Sequence, residues 1–198
     1  MIKTENGIPK VDYDKLRKIV HTAIRFLDDV IDMSRYPLEK ITEMVKANRK
    51  VGLGVMGWAD LLIILGIPYN SEQALELAKE VMSFIQDESK AASRELANHR
   101  GSFPNFKGSV YDNTEGYQIR NSTTTTIAPT GTLSIIANCS SGIEPVFAIS
   151  FVKNVMDDEK LLEINPYFEQ VAKEMGFYSI ELMEELSLIH ISEPTRPY

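Results

Sequence analysis

The stretch that most constrains this chain runs from Asn121 to Phe151, NSTTTTIAPTGTLSIIANCSSGIEPVFAISF. Its Thr-rich, β-branched start, Ser122 to Ile127, predicts an extended strand, because side chains branched at Cβ fit a pleated backbone. Ala128-Pro129 follows, then Thr130-Gly131-Thr132, then the apolar run of Leu133, Ile135, Ile136 and Ala137. The expected shape is strand, tight turn, short helix. A helix start carries unpaired backbone N–H groups and the positive end of the helix dipole. Gly131 lets the backbone come close to a ligand, and Thr130, Thr132 and Ser134 add hydroxyl donors. Such a turn suits a phosphate or another anion. Spacing alone favours the plainer reading of a structural cap, since capped strand-to-helix turns are common.

The rest of the chain is mainly helical. Leu16, Ile19, Val20, Ala23, Ile24, Leu27, Val30 and Ile31 recur at helical spacing and predict a helix over Tyr13 to Met33. A second helix is expected over Leu38 to Ala47, with Ile41, Met44 and Val45 inward. Val55 to Leu65 predicts an apolar helix, interrupted only by Gly57 and Asp60, in which Met56 and Trp58 are core residues. Asn70 or Ser71 caps a long helix ending near Asn98, with Leu75, Ala78, Val81, Ile85, Ala92 and Leu96 inward and Gly101 as its stop. Residues 1–10 are expected as a loop, because they hold Gly7 and Pro9. Asn48 to Gly54 is expected as a connection, with Gly52 and Gly54 marking a tight turn or close packing. Pro145 to Asn154 predicts a second strand, and Pro166 to Met175 a helix ended by Gly176, with another helix from Ser179 to Leu186.

Composition narrows the function classes. The chain has 198 residues, enough for a sizeable core. Its formal charge of −7 speaks against nonspecific nucleic-acid binding, which needs a basic face. Its one cysteine excludes an internal disulfide and a cysteine-based zinc site, and suits a reducing cytoplasm. The longest apolar runs are too short to span a bilayer. Asp28, Asp29 and Asp32 read as a solvated helix face beside an isolated His21, with no Glu-x-x-His motif to make a two-metal site. His99 suits a helix end, where a cation favours the dipole. Glu144 is expected to be a partly buried acid.

The literal strings add more. Ala128-Pro129-Thr130-Gly131-Thr132-Leu133-Ser134 and Cys139-Ser140-Ser141-Gly142-Ile143-Glu144-Pro145 resemble the large catalytic chain of ribonucleotide reductases, most closely its adenosylcobalamin-dependent class II branch. The segments Asn48 to Leu62 and Asn165 to Ser179 resemble the same family, and the likeness covers about Val11 to Glu184. The resemblance implies an α/β fold: a mostly helical fragment of the family's ten-stranded α/β barrel. It implies that Pro129, Thr130, Gly131, Thr132, Leu133 and Ser134 hold the substrate phosphates. It also implies ribonucleotide reduction by thiyl-radical chemistry, with adenosylcobalamin as cofactor of the intact parent.

The family's radical cysteine and redox-active cysteine pair are missing here. Cys139 does not match the family's finger-loop motif and is read as a small, buried or half-buried thiol beside a turn. The chain therefore resembles an internal fragment that supplies the substrate-phosphate turn. Its implied partners are the ribonucleotide, the remainder of the reductase chain and, in the parent, a second copy as homodimer; no nucleic acid and no membrane are expected. Two alternatives stand beside this reading: a noncatalytic helical interaction domain, and a fragment of a class I large subunit. Residues 1–186 are expected to be the partial barrel domain. Ser187 to Tyr198, SLIHISEPTRPY, are expected to be a non-native or disordered tail.

Overall fold

The computed structural model describes residues 2–113, 116–154 and 160–192. In chain order its elements are β1 (Ile2–Glu5), β2 (Ile8–Val11), α1 (Tyr13–Met33), α2 (Glu39–Asn48), α3 (Trp58–Leu65), α4 (Glu72–Arg100), α5 (Gly131–Ala137), β3 (Ser150–Asn154), β4 (Lys160–Ile164), α6 (Pro166–Glu174) and α7 (Ile180–Ser192). They fall into two compact units, Met1–Val55 with Glu72–Ala128, and Met56–Ser71 with Pro129–Tyr198. The chain is mostly helical α/β. Among the described residues its named strands make two antiparallel pairs and no closed barrel.

The first unit opens on a hairpin where a loop was expected. Asn6 and Gly7 sit at φ 54° and 80°. That left-handed pair forms the two-residue turn that matches the twist of antiparallel strands, and Glu5 pairs with Ile8 across it. Pro9 lies within β2, opposite Thr4.

Helix α1 has the expected bounds, with Asp12 accepting the Lys15 N–H at 3.0 Å as its cap. Leu16, Val20, Ile24 and Ile31 are buried, whereas Ile19 and Val30 are exposed. Contacts between α1 and α4 advance together: Tyr13 meets Glu80, Arg17 and His21 meet Glu88, and Asp29 meets Arg100. The two helices therefore run side by side in the same direction. His21 is not isolated, since its ring nitrogens lie 3.0 Å from Glu88 and 3.4 Å from Glu95. On α4, Val81, Ile85 and Ala92 are buried as expected, but Leu75 is exposed and the buried line continues through Ser89, Ser93 and Ala97. Small side chains there let the Thr-rich segment lie close. Ser89 Oγ donates to Thr124 Oγ and Ser93 Oγ to Asn121 Oδ1, each at 2.8 Å. Helix α2 departs from expectation. Ile41 and Met44 are exposed, Val45 is half-buried and no residue of α2 is fully buried.

The Thr-rich run is extended and paired. Its partner is Asn48 to Gly54, expected only as a connection. Val51 and Leu53 N–H donate to the Thr123 and Thr124 carbonyls at 3.1 and 2.9 Å, and Thr126 N–H returns to the Leu53 carbonyl at 3.0 Å. The bridge Leu53–Thr125 is parallel. Gly52 and Gly54 serve close packing: a Cβ on Gly52 would stand 2.8 Å from Thr126 Cγ2, and one on Gly54 would stand 3.1 Å from the Thr126 carbonyl. A side chain at either position would push the strands apart.

Asp28 overturns the expectation of a solvated acidic face. It is fully buried and ringed by cations: Arg49 Nε lies 2.9 Å, Arg100 Nη1 3.0 Å and Arg120 Nε 3.3 Å from its carboxylate. Asn121 Nδ2 adds a fourth donor at 2.9 Å. Asp32 and Asp29 neutralise Arg49 and Arg100 from outside. A carboxylate this deep needs such partners, since an unpaired buried charge costs several kcal/mol or more.

In the second unit α3 begins at Trp58 rather than Val55, because Gly57 at φ 79° cannot continue a right-handed helix. Met56 is thereby outside the helix and exposed, and Trp58 is half-buried; Ala59 and Leu62 are the core residues. Helix α3 packs against α6. Asn165 caps α6, its Oδ1 accepting the Tyr167 and Phe168 N–H groups at 3.0 Å each, with Pro166 in the first turn. The expected strand from Pro145 starts only at Ser150. It pairs antiparallel with β4, Ser150 opposite Ile164, and residues 155–159 between them lie outside the described residues. Helix α7 packs on β3 and buries Met183. The boundary expected after residue 186 falls inside α7, where Ser187 is buried and donates to the Glu184 carbonyl at 2.7 Å. Residues 193–198 lie outside the described residues.

Candidate functional site

The turn at the start of α5 belongs to the second unit. The first bond of the helix runs from Ser134 N–H to the Thr130 carbonyl at 2.8 Å. The N–H groups of Gly131, Thr132 and Leu133 lie ahead of it and have no acceptor within the helix. Gly131, Thr132 and Leu133 are exposed, as is Pro129. A Cβ on Gly131 would meet nothing within 4 Å. The three donors therefore belong to exposed residues at the positive end of a short helix.

Thr130, not Gly131, carries the unusual backbone. It sits at φ 54°, ψ 25°, the left-handed region, while Gly131 has ordinary helical geometry. For a residue branched at Cβ that region costs about 1–2 kcal/mol. The Thr130 hydroxyl oxygen is held by the Gly142 N–H at 2.7 Å, which leaves its own hydrogen free to donate. Ser134 turns inward. It is buried, its Oγ donates to the Gly131 carbonyl at 2.9 Å, and it lies 2.9 Å from Ser141 Oγ. Ser134 thus shapes the turn, while the half-buried Thr130 hydroxyl keeps a hydrogen to donate and Thr132 is exposed.

The residues holding Gly142 were not anticipated. Asp60, a lone acid in an apolar helix, is buried. Its carboxylate accepts the Ser140 N–H at 2.6 Å and Asn165 Nδ2 at 3.1 Å. In return the Ser140 and Gly142 carbonyls accept the Gly57 and Trp58 N–H groups at 2.7 and 3.4 Å. An acid interrupting an apolar run was the available signal, but its partners lie far along the chain.

Cys139 is half-buried beside Gly57. Burial pushes its thiol pKa up, and the Asp60 carboxylate adds to the effect. Glu144 is exposed, not partly buried, because the loop after Gly142 turns outward. Among the described residues no group of His, Cys, Asp and Glu side chains is arranged to hold a metal ion. Among the described residues no helix is long and apolar enough to cross a membrane.

Comparison with known proteins relates the chain to a family. The model of the ribonucleotide reductase barrel domain matches residues 2–196. A vitamin B12-dependent ribonucleoside-diphosphate reductase of Thermoplasma acidophilum is 57% identical over 178 residues, covering 90% of this chain and 23% of that protein. One from Mycobacterium tuberculosis is 48% identical over 90% of this chain and 25% of its own length. A ribonucleoside-diphosphate reductase subunit alpha of Chlamydia pneumoniae is 32% identical over 89% of this chain and 20% of its length. The chain spans about a quarter of the length of these curated relatives.

Proposed function

Since the chain belongs to the ribonucleotide reductase family, within its barrel domain, we propose that it is the part of a reductase that holds the substrate phosphates, on Pro129, Thr130, Gly131, Thr132, Leu133 and Ser134. The observation that carries the reading is the exposed helix start, where three N–H groups without a partner in the helix lie beside the hydroxyls of Thr130 and Thr132. The N–H groups of Gly131, Thr132 and Leu133 donate to phosphate oxygens, and the Thr130 and Thr132 hydroxyls add charge-assisted bonds. Pro129 sets the chain direction into the turn and Ser134 keeps its shape.

The parent enzyme in this proposal is a cytoplasmic ribonucleoside-diphosphate reductase making deoxyribonucleotides. The higher identity to the vitamin B12-dependent relatives, 57% and 48% against 32% for the subunit alpha, favours the class II branch over class I. Adenosylcobalamin is its proposed cofactor, which supplies the radical when bound. The one thiol of this chain, Cys139, does not fit a radical role toward it, being half-buried with a raised pKa. The contribution of this segment is binding and orientation alone. Exposed Leu133, Ile135 and Ile136 on α5 suit a helix covered by the remainder of the reductase chain.

The test is nucleotide affinity by titration calorimetry in the complete reductase, against the matching nucleoside. Thr132→Val should weaken nucleoside diphosphate by roughly 1.5–3 kcal/mol, tenfold or more, by losing a bond to a charged group. Gly131→Val should weaken it further and Thr130→Ser least. If the nucleotide binds no better than the nucleoside, the turn is a structural cap. The isolated chain, with one thiol, should form no deoxynucleotide even with adenosylcobalamin and a dithiol.

A further inference from the structure

We propose that Asp60 is a positioning residue for substrate phosphate, acting on Thr130 through the Ser140–Gly142 loop; the inference rests on the phosphate-turn reading above. Thr130 occupies a left-handed conformation that its branched side chain disfavours. It stays there because the Gly142 N–H grips its hydroxyl oxygen at 2.7 Å. Gly142 can do so only if its loop is fixed, and Asp60 fixes it two residues away. The carboxylate takes the Ser140 N–H at 2.6 Å, and the Asp60 N–H reaches Ser140 Oγ at 3.3 Å, so the two residues clasp each other twice.

The other carboxylate oxygen is anchored by Asn165 Nδ2 at 3.1 Å. Asn165 cannot turn its amide over, because its Oδ1 is committed to the Tyr167 and Phe168 N–H groups at the start of α6. Asp60 therefore faces two fixed donors and needs two acceptor oxygens. An asparagine at this position has one oxygen and must turn an NH2 group on either the Ser140 N–H or the Asn165 amide. That mismatch loosens the loop without removing volume. The hydroxyl of Thr130 then loses its fixed direction, and with it a bond to the phosphate. The nucleoside part of the substrate makes no use of this clasp.

The experiment is titration calorimetry on the complete reductase chain with a nucleoside diphosphate and with the matching nucleoside. Wild type, Asp60→Asn, Thr130→Ala and the double variant are compared. Asp60→Asn should weaken the nucleoside diphosphate about tenfold, the loss of one charge-assisted bond. Nucleoside affinity should not change. In the Thr130→Ala background the same substitution should add less than about twofold, because residues in one network do not act additively. A folded Asp60→Asn protein with the wild-type ratio of nucleotide to nucleoside affinity overturns the proposal, whatever its melting temperature. So does a full additional loss in the double variant. Should Asp60→Asn not fold, Ser140→Ala removes only the side-chain half of the clasp; it should lower the same ratio, and an unchanged ratio overturns the proposal. Wild-type protein that does not prefer nucleotide to nucleoside defeats the phosphate-turn reading itself, which separates that failure from failure of the role of Asp60.

Discussion

Arg49 and Asp28 form a buried pair: Arg49 Nε stands 2.9 Å from Asp28 Oδ1, and Arg49 Nη2 stands 2.9 Å from the Asp28 backbone carbonyl. Both side chains are nearly sealed from solvent, at 5% and 0% exposure. Arg49 reaches this place from φ 46°, just past the end of α2. Asp28→Ala leaves Arg49, Arg100 and Arg120 facing one another without their shared carboxylate. Removing one member of a buried ion pair costs about 3–5 kcal/mol, and urea unfolding should show a loss of that size. A loss below about 1 kcal/mol would mean that solvent reaches the cluster.

Acid should unfold the chain through the same carboxylates. Burial alone pushes the Asp28 carboxyl up, but hydrogen bonds from Arg49 and Asn121 and the charges of Arg49 and Arg120 outweigh it and hold it below the usual range. The Arg49 hydrogen bonds hold Asp32 low, and those of Arg17 and His21 hold Glu88 low. A depressed carboxyl contributes stability that is present above its unfolded pKa, about 4, and is lost as pH falls through the lower folded value. Melting temperature should thus change little from about pH 7 to 5 on account of these groups and drop below about pH 4. Asp28→Asn should flatten that acid limb; a limb as steep as wild type would assign it to other groups.

Cys139 should react slowly. Its raised thiol pKa, from burial first and the Asp60 carboxylate second, lowers the thiolate fraction at mildly alkaline pH. Iodoacetamide at pH 8 should alkylate it more slowly than free cysteine, and Asp60→Asn should speed the reaction. A rate equal to free cysteine in the folded protein would show an accessible, unperturbed thiol.

Gly131→Val should leave the fold intact. Gly131 has no left-handed φ and its Cβ direction is open, so the change in stability should stay within about 0.5 kcal/mol. Thermal melts of the variant check this. Loss of nucleotide binding in a variant that melts like wild type would then report obstruction of the ligand, not unfolding.

The proposed domain boundary after residue 186 is tested by deletion. Ser187 is buried, but Leu188 is 56% exposed and adds little apolar burial. Removing 187–198 should cost less than about 1 kcal/mol, a shift of a few degrees in melting temperature. A larger drop would place the domain end beyond 186.

The sequence by itself determined what short-range physics controls. The bounds of α1 follow from its 3.6-residue periodicity and the Asp12 cap, and the start of α6 from Asn165-Pro166. The Thr run is extended because β-branched residues favour it, and the turn after it was legible as a string and as a helix start. Even the hairpin of residues 2–11 was encoded locally, in Asn6-Gly7. What only the tertiary structure decided depends on residues brought together across long loops. Asp28 looked like one of three surface acids until Arg49, Arg100 and Arg120 converged on it from 21, 72 and 92 positions away. Asp60 looked like a flaw in an apolar helix until Ser140 and Asn165 closed on it from 80 and 105 positions away. The left-handed backbone at Thr130 likewise goes with a distant contact, the Gly142 N–H on its hydroxyl oxygen, that no local pattern reports. Periodicity and propensity report on neighbours within a turn or two; which buried charge meets which partner is decided by how the elements pack.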